Sequence, residues 1–534
     1  MGPLVYTPVE DIPKIHEDLR KGFRSGKTKS IAYRKEQLAG LAYMIKDNTE
    51  RFQDALKADL GRPPIESDLL DISAALSEAK DAYDNIEKWA KPEKARWDFN
   101  WFAMKPTIRK EPKGVVMIIA PFNFPMLLML GHLASAIAAG NAVLMKPSEL
   151  CQATNQLIAD LVPQYLDPDL YRVVNGDVPV TTKVLSHSHV RLAHLFTLFL
   201  NLQLLELRWD HTTRDYGITY NTSIRWRESR QNCLRSSSQA PYTSYYRGKS
   251  PVIIDPKCDM KLAARRIFWG KIANAGQVCV APDYVLIPRD AQDHFIQEVQ
   301  DIYKTFYPTD PATSDSYSRI ISEGHTARIK RYIDETKGEI IIGGEVDVGK
   351  KYIAPTVVKN VPFDDSLMDE EIFGPVLPIV PVKDLDEAIE VVNSRDHALS
   401  LYVFTQDPAF KAKVFDNTQS GSAVANEVVI HVGATGLPFG GIGPSGSGYH
   451  TGKYGFDVFT HHRGTLDNPG WVDTLILKGR YPPYTPEKIR NLRKAFNVSM
   501  PPRPGTKAGK RWGLWLVFAL LGTISAVLMK RKRA

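Results

Sequence analysis

Two stretches decide the fold: "GVVMIIAPFNFP" at residues 114–125 and "NAVLMKPSE" at residues 141–149. Each contains an uninterrupted apolar run, and between them "LLMLGHLASAIAAG" at 127–140 has the length and composition of a helix. Strands that lack polar alternation are buried on both faces, which is typical of a parallel sheet covered by helices. The two stretches therefore predict a strand–helix–strand unit.

Further apolar runs extend this pattern along the chain. Residues 15–95 are predicted to be helical, with Leu38, Leu41 and Ile45 on one helix face and Gly61 ending a helix. The predicted strands beyond the first two are "YRVVNG" (171–176), "SPVIID" (250–255), "PDYVLIPRD" (282–290), "EIIIGG" (339–344) and "PVLPIVPV" (375–382). Strands that alternate with helices over this length predict two α/β domains.

The composition is that of a globular protein, and its cysteines indicate a reducing compartment. Of the 534 residues, 43% are hydrophobic and 24% are charged, and the net charge is +8. Part of that charge lies at the C-terminus, so no nucleic-acid partner is predicted. The four cysteines (Cys151, Cys233, Cys258 and Cys279) show no CxxC spacing and no disulfide framework. No metal site is predicted.

The two ends of the chain differ. The N-terminus has no secretory signal, and Tyr6 stands where a myristoylation signal needs Ser or Thr. At the other end, "WGLWLVFALLGTISAVLM" (512–529) is uncharged and precedes "KRKR". As a helix it would span about 27 Å, enough for a bilayer core. We predict a transmembrane tail anchor with the bulk of the chain in the cytosol, in the endoplasmic reticulum or outer mitochondrial membrane.

Five motifs occur in a specific order: "APFNFP", "GNAVLMKPSE", "GQVC", "EEIFGPVLPI" and "LPFGGIGPSGSG". Together they resemble the aldehyde dehydrogenase superfamily, over residues 30–185 and 248–465. The ending "GYHTGKYGFDVFTHHR" and the apolar tail resemble its fatty-aldehyde branch. The resemblance implies NAD(P)-dependent oxidation of medium- or long-chain fatty aldehydes to carboxylic acids, in a homodimer.

The same resemblance implies an α/β, aldehyde dehydrogenase-like architecture. It comprises a Rossmann-type cofactor domain, an α/β catalytic domain, a β-hairpin oligomerisation arm and the C-terminal transmembrane helix. The predicted boundaries are a helical N-terminus and cofactor domain (1–247), the catalytic domain (248–425), the arm with a catalytic-wall loop (426–460), a linker (461–511) and the anchor (512–529). The stretch "ARWDFNWFAMKPTIRKEP" (95–112) is assigned to the arm.

Cys279 and Asn123 are the predicted catalytic residues. A thiol can capture an aldehyde carbon and form a thioester that water hydrolyses, and Cys279 matches the family nucleophile. The resulting oxyanion needs a preorganised donor. By resemblance this donor is the amide of Asn123 together with the backbone N–H of Cys279. From the residues alone, Cys279 could be an inert core thiol and Asn123 could satisfy a turn between prolines.

Four residues are predicted to bind NAD or NADP. Lys146 and Glu149 follow a strand, where such groups reach the adenosine ribose. Ser148 and Glu149 also form a candidate capping box, and both interpretations can hold together. Glu371 and Phe373 in "EIFGP" resemble the pair at the nicotinamide ribose and ring; alone, that stretch reads as the start of a strand.

The segment 186–247 does not fit the resemblance. Two family elements are missing from it, the Gly-rich pyrophosphate turn and the "LELGGK" stretch whose Glu activates the hydrolytic water. A one-nucleotide shift of the reading frame can turn residues 225–233 into G-G-E-K-V-G-K-I-V. The same shift can turn 236–247 into A-A-A-K-H-L-T-P-V-T-T-E. We therefore interpret the segment as a frameshift with retained intron at 186–203, against the alternatives of a disordered insert or a basic interaction loop.

This interpretation makes the chain as written an impaired enzyme, because Glu206 lies in the lead-in to the turn and does not replace the missing base. Two other functional classes stay open. One is a membrane-anchored pseudoenzyme without turnover. The other is a reductase of acyl phosphates, which would use the same thiol chemistry without the hydrolytic Glu.

Overall fold

The computed structural model describes residues 3–98, 100–185 and 248–496, the backbone of 191–196 and 243–245, and residues 500, 501, 503 and 504. The chain divides into two units: residues 1–92 with 109–463, and residues 93–108 with 464–534. The predicted segment 186–247 lies almost wholly outside the described residues. The predicted anchor at 512–529 lies entirely outside them.

Strands are numbered in chain order through the described residues. They are β1 Glu93–Lys94, β2 Thr107–Pro112, β3 Val115–Ile119, β4 Ala142–Lys146, β5 Tyr171–Val173, β6 Arg191–Phe196, β7 Thr243–Tyr245, β8 Pro251–Ile254, β9 Tyr284–Pro288, β10 Glu339–Ile342, β11 Val346–Asp347, β12 Tyr352–Ile353, β13 Thr356–Lys359, β14 Val376–Val382, β15 Ala398–Phe404, β16 Ser420–Ala425, β17 Gly446–Ser447 and β18 Thr460–Thr465.

The α-helices are numbered in the same way. They are α1 Ile12–Arg24, α2 Ile31–Asp47, α3 Thr49–Leu60, α4 Pro64–Ser67, α5 Ser73–Trp89, α6 His132–Ala139, α7 Gln152–Tyr165, α8 Val178–Leu185, α9 Met260–Ile272, α10 Gln292–Phe306, α11 Glu323–Glu335, α12 Ser366–Asp369, α13 Leu385–Asn393, α14 Pro408–Asn417, α15 Gly452–Val458, α16 Gly470–Val472 and α17 Pro486–Ala495.

Two mostly parallel sheets form the first unit, as the apolar strand pattern predicts. The cofactor-domain sheet has the order β17-β7-β6-β3-β4-β5, and only its edge pair β17–β7 is antiparallel. The catalytic-domain sheet has the order β10-β13-β14-β9-β8-β15-β16, with the edge pair β10–β13 antiparallel. The α/β class is confirmed, and the predicted domain boundaries stay a prediction.

The centre of the cofactor sheet is apolar on both faces. Every residue of β3 and β4 is buried, and the two strands pair in parallel with Val116 opposite Val143. Helices α2 and α5 belong to the helical layer predicted at 15–95, where Leu38, Leu41 and Ile45 are fully buried. Helix α3 ends at Leu60 because Gly61 takes the left-handed conformation.

The second unit contains an antiparallel pairing of β1 with β2, in which Glu93 lies opposite Ile108, and helix α17, capped by the side chain of Thr485. This hairpin lies within 95–112 and just before it, where the arm is predicted. Among the residues that the structure describes, we find no helix with both the length and the apolar character that a bilayer crossing requires. The assignment of 426–460 to an oligomerisation arm stays a prediction.

Gly276 should tolerate no side chain. Its φ is +74°, and a Cβ built there would lie 2.2 Å from the carbonyl carbon of Gly374, on a turn that has no room to shift. We expect Gly276→Ala to lower the free energy of unfolding by about 2 kcal/mol or more, measured by urea denaturation.

The matched control is Gly324→Ala near the start of α11. A Cβ at Gly324 would meet nothing closer than the Ser322 hydroxyl at 4.0 Å. This variant should be neutral or more stable by about 0.4–1 kcal/mol, because it restricts the unfolded chain. Equal losses in the two variants would contradict the assignment of a tight contact at Gly276.

Candidate active site

Cys279 follows a turn with an unusual backbone. The 3₁₀ segment Ala273–Gly276 contains three consecutive residues with positive φ: Asn274 and Ala275 at 51° and Gly276 at 74°. Non-glycine residues rarely adopt this conformation, so neighbouring groups must hold it in place. The turn passes directly against Gly374 and leaves Cys279 partly exposed at the wall of a cavity.

The surroundings of Cys279 favour the protonated thiol. Burial raises its pKa to about 12, and the negative charge of Glu371 contributes to the rise. The backbone N–H groups of Cys279 and Val280 act in the opposite direction, because they favour the thiolate. A nucleophile at this position therefore loses its proton only with help from the substrate or from a nearby base.

Asn123 lies four residues after β3, on a loop at the carboxyl edge of the cofactor sheet. Its backbone carbonyl accepts a hydrogen bond from the Asn274 side-chain Nδ2 at 3.1 Å and a second from the guanidinium of Arg62. The predicted oxyanion residue is thus tied to the turn that carries the predicted nucleophile. Asn123 itself is almost fully buried.

Lys146 and Glu149 form an ion pair at the carboxyl end of β4. The Lys146 ammonium donates to Glu149 Oε2 at 3.1 Å and to the carbonyl of Pro147 at 2.7 Å. Burial lowers the pKa of Lys146, which the charge of Glu149 partly offsets. The capping box does not form, because helix α7 begins at Gln152 with Cys151 as its N-cap.

Glu371 and Phe373 lie in the turn between α12 and β14. Phe373 has a φ of 51°, and its ring meets Phe122 edge-on with the ring centroids 5.9 Å apart. The carbonyl of Ile372 accepts a hydrogen bond from Arg328 at 2.8 Å. The turn therefore contacts the residue that precedes Asn123, so the predicted nicotinamide pair lies beside the predicted oxyanion loop.

A buried charge cluster anchors the same turn from the catalytic sheet. Lys249 donates to Asp283 at 2.6 Å and to the carbonyls of Leu367 and Glu370 at 2.5 and 3.0 Å, while Lys271 reaches Asp283 at 3.3 Å. Burial alone would raise the pKa of Asp283, but the two ammonium groups hold it below its usual value. The position of Glu371 is thus fixed by paired charges.

Cys279 opens into a cavity of about 400 Å³. Most of the wall is apolar, formed by Leu69, Leu70, Leu127, Leu128, Phe124, Val278, Val280, Val429, Ile430 and Val432. Glu78, Asp81, His132 and His450 make a polar part of the lining. Burial raises the pKa of Glu78 to about 7, although the N–H of Gly452 donates to its carboxylate. The cavity can hold a largely apolar ligand next to the thiol.

The structure brings the six predicted residues into two groups. Cys279, Asn123, Glu371 and Phe373 are linked through the contacts above, and Lys146 and Glu149 form a separate pair on the next strand. Four residues that hold these groups were not predicted from the sequence: Arg62, Asn274, Lys249 and Asp283. Lys249 and Asp283 flank apolar strands, which is a usable signal, whereas "LGRPP" around Arg62 has none.

The sequence model described as "Aldehyde dehydrogenase family" matches residues 5–197 and 234–464. The chain belongs to the aldehyde dehydrogenase family. The family and the enzyme class predicted from the motifs are confirmed. The match breaks at residues 198–233, inside the segment predicted to be aberrant, and covers that segment's two ends.

Curated relatives match along nearly the whole chain. "Aldehyde dehydrogenase family 3 member A2" of Mus musculus is 36% identical over 518 residues, which cover 96% of this chain and 98% of the mouse protein. "Aldehyde dehydrogenase family 3 comG" of Dictyostelium discoideum is 37% identical over 478 residues, with 88% and 94% covered. The similarity therefore reaches the family-3 group of the family.

Solved structures share the fold. The substrate-bound state of Staphylococcus aureus AldH has a TM-score of 0.80 and 32% identity, covering 91% of this chain and 99% of that one. An indole-3-acetaldehyde dehydrogenase in complex with NAD+ has a TM-score of 0.74 at 24% identity, with 87% and 90% covered. The second comparison supports the fold alone.

The reactivity of Cys279 should depend on pH and on Glu371. Because the thiol pKa is about 12, alkylation of Cys279 by iodoacetamide should accelerate about tenfold per pH unit from pH 7 to 9 without a plateau. Glu371→Gln removes a negative charge, lowers the thiol pKa, and should raise the rate at fixed pH about three- to tenfold.

Peptide mass spectrometry measures the rate at each cysteine in one sample. Cys258 serves as the control, since Asp255 and Asp259 are the carboxylates that raise its pKa and neither is altered. A plateau below pH 8 at Cys279, or an equal acceleration at Cys258 in the Glu371→Gln variant, would show that burial and Glu371 do not control the Cys279 thiol.

Proposed function

We propose that this protein oxidises medium- or long-chain fatty aldehydes to carboxylic acids, with Cys279 as the nucleophile. The observation that carries the proposal is the position of the Cys279 thiol at the wall of a mainly apolar cavity, in a chain of the aldehyde dehydrogenase family. A thiol at a mainly apolar pocket is suited to capture an aldehyde whose hydrocarbon chain fills that pocket.

The first step is capture of the aldehyde. Cys279 Sγ attacks the carbonyl carbon, and the oxygen becomes an oxyanion that the Asn123 amide and the Cys279 backbone N–H stabilise. Because burial keeps the thiol protonated, its proton passes to solvent as the carbon–sulfur bond forms and not beforehand. The resulting thiohemiacetal holds the hydrogen that is removed in the oxidation.

The cofactor is NAD or NADP. The Lys146–Glu149 pair at the carboxyl end of β4 fits a dinucleotide, since such sites lie at this edge of a parallel sheet and bind ribose hydroxyls. Glu371 and Phe373 would hold the nicotinamide end. When bound, the nicotinamide supplies the hydride acceptor. The resulting thioester is then hydrolysed, which in the family pattern needs the Glu that the chain as written lacks.

The cavity supports the choice of substrate. Leucine, isoleucine, valine and phenylalanine side chains line most of it, and each methylene of a ligand buried against them contributes about 0.8 kcal/mol. A long aldehyde therefore gains affinity that a short one does not.

We further propose that residues 512–529 anchor the chain in the endoplasmic reticulum or outer mitochondrial membrane, facing the cytosol, and that the protein is a homodimer. The support for the anchor is an uncharged 18-residue run followed by "KRKR". An anchor of this kind would place the cavity near lipid-derived aldehydes. The support for the dimer is the resemblance to the family and its hairpin arm.

Turnover should separate the chain as written from its frame-corrected form. Steady-state NADH or NADPH formation from dodecanal should be absent in the chain as written, or at least about a thousandfold slower than in the corrected form. A general base contributes about 10²–10⁴ in rate, and the pyrophosphate turn is missing as well. The corrected chain, with G-G-E-K-V-G-K-I-V and A-A-A-K-H-L-T-P-V-T-T-E restored, should turn over.

Sequencing the transcript is the companion measurement. Equal turnover by the two chains, or a transcript that encodes the present frame throughout 186–247, would contradict the frameshift interpretation. A corrected chain that shows no turnover while Cys279 still binds aldehyde would favour the pseudoenzyme.

Aldehyde binding can be measured without turnover, as protection of Cys279 from iodoacetamide. Dodecanal should protect at a concentration at least about tenfold lower than propanal, because its chain buries additional methylenes. Ala74→Trp places a bulky ring in the cavity wall and should remove most of this preference. Propanal protection should change little.

The matched control is Lys80→Trp, on the same helix α5 but exposed and outside the cavity lining. It should leave the dodecanal-to-propanal ratio at its original value. If Ala74→Trp and Lys80→Trp behave alike, the cavity is not the site of the hydrocarbon chain.

A further inference from the structure

Arg62 connects two loops: the nucleophile turn, Ala273–Gly276, and the oxyanion loop that carries Asn123. The proposed chemistry gives Arg62 no role. Its side chain is fully buried, as is that of Asp71, to which Nη1 donates at 2.9 Å. Nε and Nη2 both donate to Asn274 Oδ1, at 3.0 and 2.8 Å, and Nη2 also donates to the carbonyl of Asn123. Three of these four hydrogen bonds therefore go to the nucleophile turn and the oxyanion loop.

Asn274 completes the connection. Its Nδ2 donates to the carbonyls of Asn123 at 3.1 Å and Gln277 at 3.0 Å, and its backbone N–H donates to Glu66 at 3.0 Å. Arg62 orients this amide, because its two donors occupy Oδ1 and leave Nδ2 facing both loops. The guanidinium and the Asn274 amide thus act as one rigid piece between Asn123 and the turn before Cys279.

We propose that Arg62 is a positioning residue for attack by Cys279: it fixes the separation of the Cys279 thiol and the oxyanion-binding amide of Asn123. The proposal rests on the roles given to these two residues in the proposed function. Oxyanion stabilisation depends on a donor placed about 3 Å from where the charge develops, so a small shift of one loop weakens it. A planar guanidinium suits this task because it bonds two acceptors in fixed directions, which a lysine does not.

Asp71 explains why a charged group can occupy this position. Burial by itself raises the pKa of Asp71, and the charge of Arg62 opposes that rise. The Asp71 carboxylate also accepts the Leu127 N–H at 2.6 Å, at the start of the segment leading into α6. The ion pair keeps the guanidinium in place, while Nε and Nη2 donate hydrogen bonds to the two loops.

The test isolates attack and acyl transfer from the cofactor. Cys279 Sγ attacks the carbonyl of p-nitrophenyl acetate; a carbon–sulfur bond forms, the ester carbon–oxygen bond breaks, p-nitrophenolate leaves and the thiol proton passes to buffer. This step needs the thiol and the oxyanion donors, but neither NAD(P) nor the missing Glu. The first-turnover release of p-nitrophenolate is measured on the full chain, and mass spectrometry locates the acetyl group.

We expect Asn123→Ala and Arg62→Met each to slow this step about 100-fold, the loss typical of one oxyanion donor. The double variant should also be about 100-fold slower, and not about 10⁴-fold, because both changes remove the same contribution. Arg62→Lys keeps a charge beside Asp71 but cannot bond both loops. It should melt close to the unaltered protein and yet react at least about tenfold more slowly.

Arg34→Met is the matched control. Arg34 is another buried arginine that donates to backbone carbonyls, those of Thr28 and Ala138, away from both loops. It should lower the melting temperature without changing the rate per folded thiol. If Arg62→Met does not fold, the cycle is run with Arg62→Lys and Asn123→Ala, and the same lack of additivity is expected.

Two results would overturn the positioning role. One is a double variant whose rate falls by the product of the two single losses, and the other is an Arg62→Lys variant that reacts as fast as the unaltered protein. Failure of the proposed function looks different: the unaltered chain would then carry no acetyl group on Cys279, and Cys279→Ser would release p-nitrophenolate equally fast.

Discussion

The site depends on a backbone turn that the polypeptide would not adopt alone. Left-handed conformations at Asn274 and Ala275 cost of order 1–3 kcal/mol each, and Gly276 continues the turn against the backbone of Gly374. Buried hydrogen bonds offset that cost. The side chain of Gln277 alone donates to the carbonyl of Arg319 at 2.9 Å and accepts from the N–H of Ile321 at 2.9 Å. The thiol is placed by the sum of these contacts.

Two buried ion clusters hold the loops of the site. Arg62, paired with Asp71, bonds the predicted oxyanion loop at Asn123, and Lys249, which with Lys271 pairs with Asp283, bonds the carbonyl before Glu371. Buried ion pairs are weak evidence for stability, because desolvation cancels much of their attraction. Their donors, however, bond backbone carbonyls that no apolar side chain could hold. The clusters therefore specify loop geometry more than they add stability.

The features that could be predicted from the sequence are those that depend on hydrophobic periodicity and on the order of the motifs. The apolar runs at β3 and β4 required burial on both faces, so the parallel sheets followed, and the ordered motifs identified the family through Cys279 and Asn123. The sequence could not predict Arg62 or Asn274 in their structural roles. Arg62 bonds Asn123 and Asn274, which lie 61 and 212 positions away in the chain, and a single arginine in "LGRPP" carries no periodic signal. The capping box at Ser148 was not formed, because Glu149 pairs with Lys146 and the helix starts three residues later.

The break in the family match falls between two strands of one sheet. Strand β6 pairs in parallel with β3, and β7 pairs in parallel with β6, so residues 198–233 lie in the connection between adjacent strands. By resemblance to the family, the Gly-rich pyrophosphate turn that the chain as written lacks belongs in this connection. The catalytic sheet, the nucleophile turn and the described lining of the cavity consist of residues outside 186–247. The residues predicted to capture the carbonyl therefore lie outside the segment that interrupts the family match, and a defect confined to that segment would leave their geometry in place.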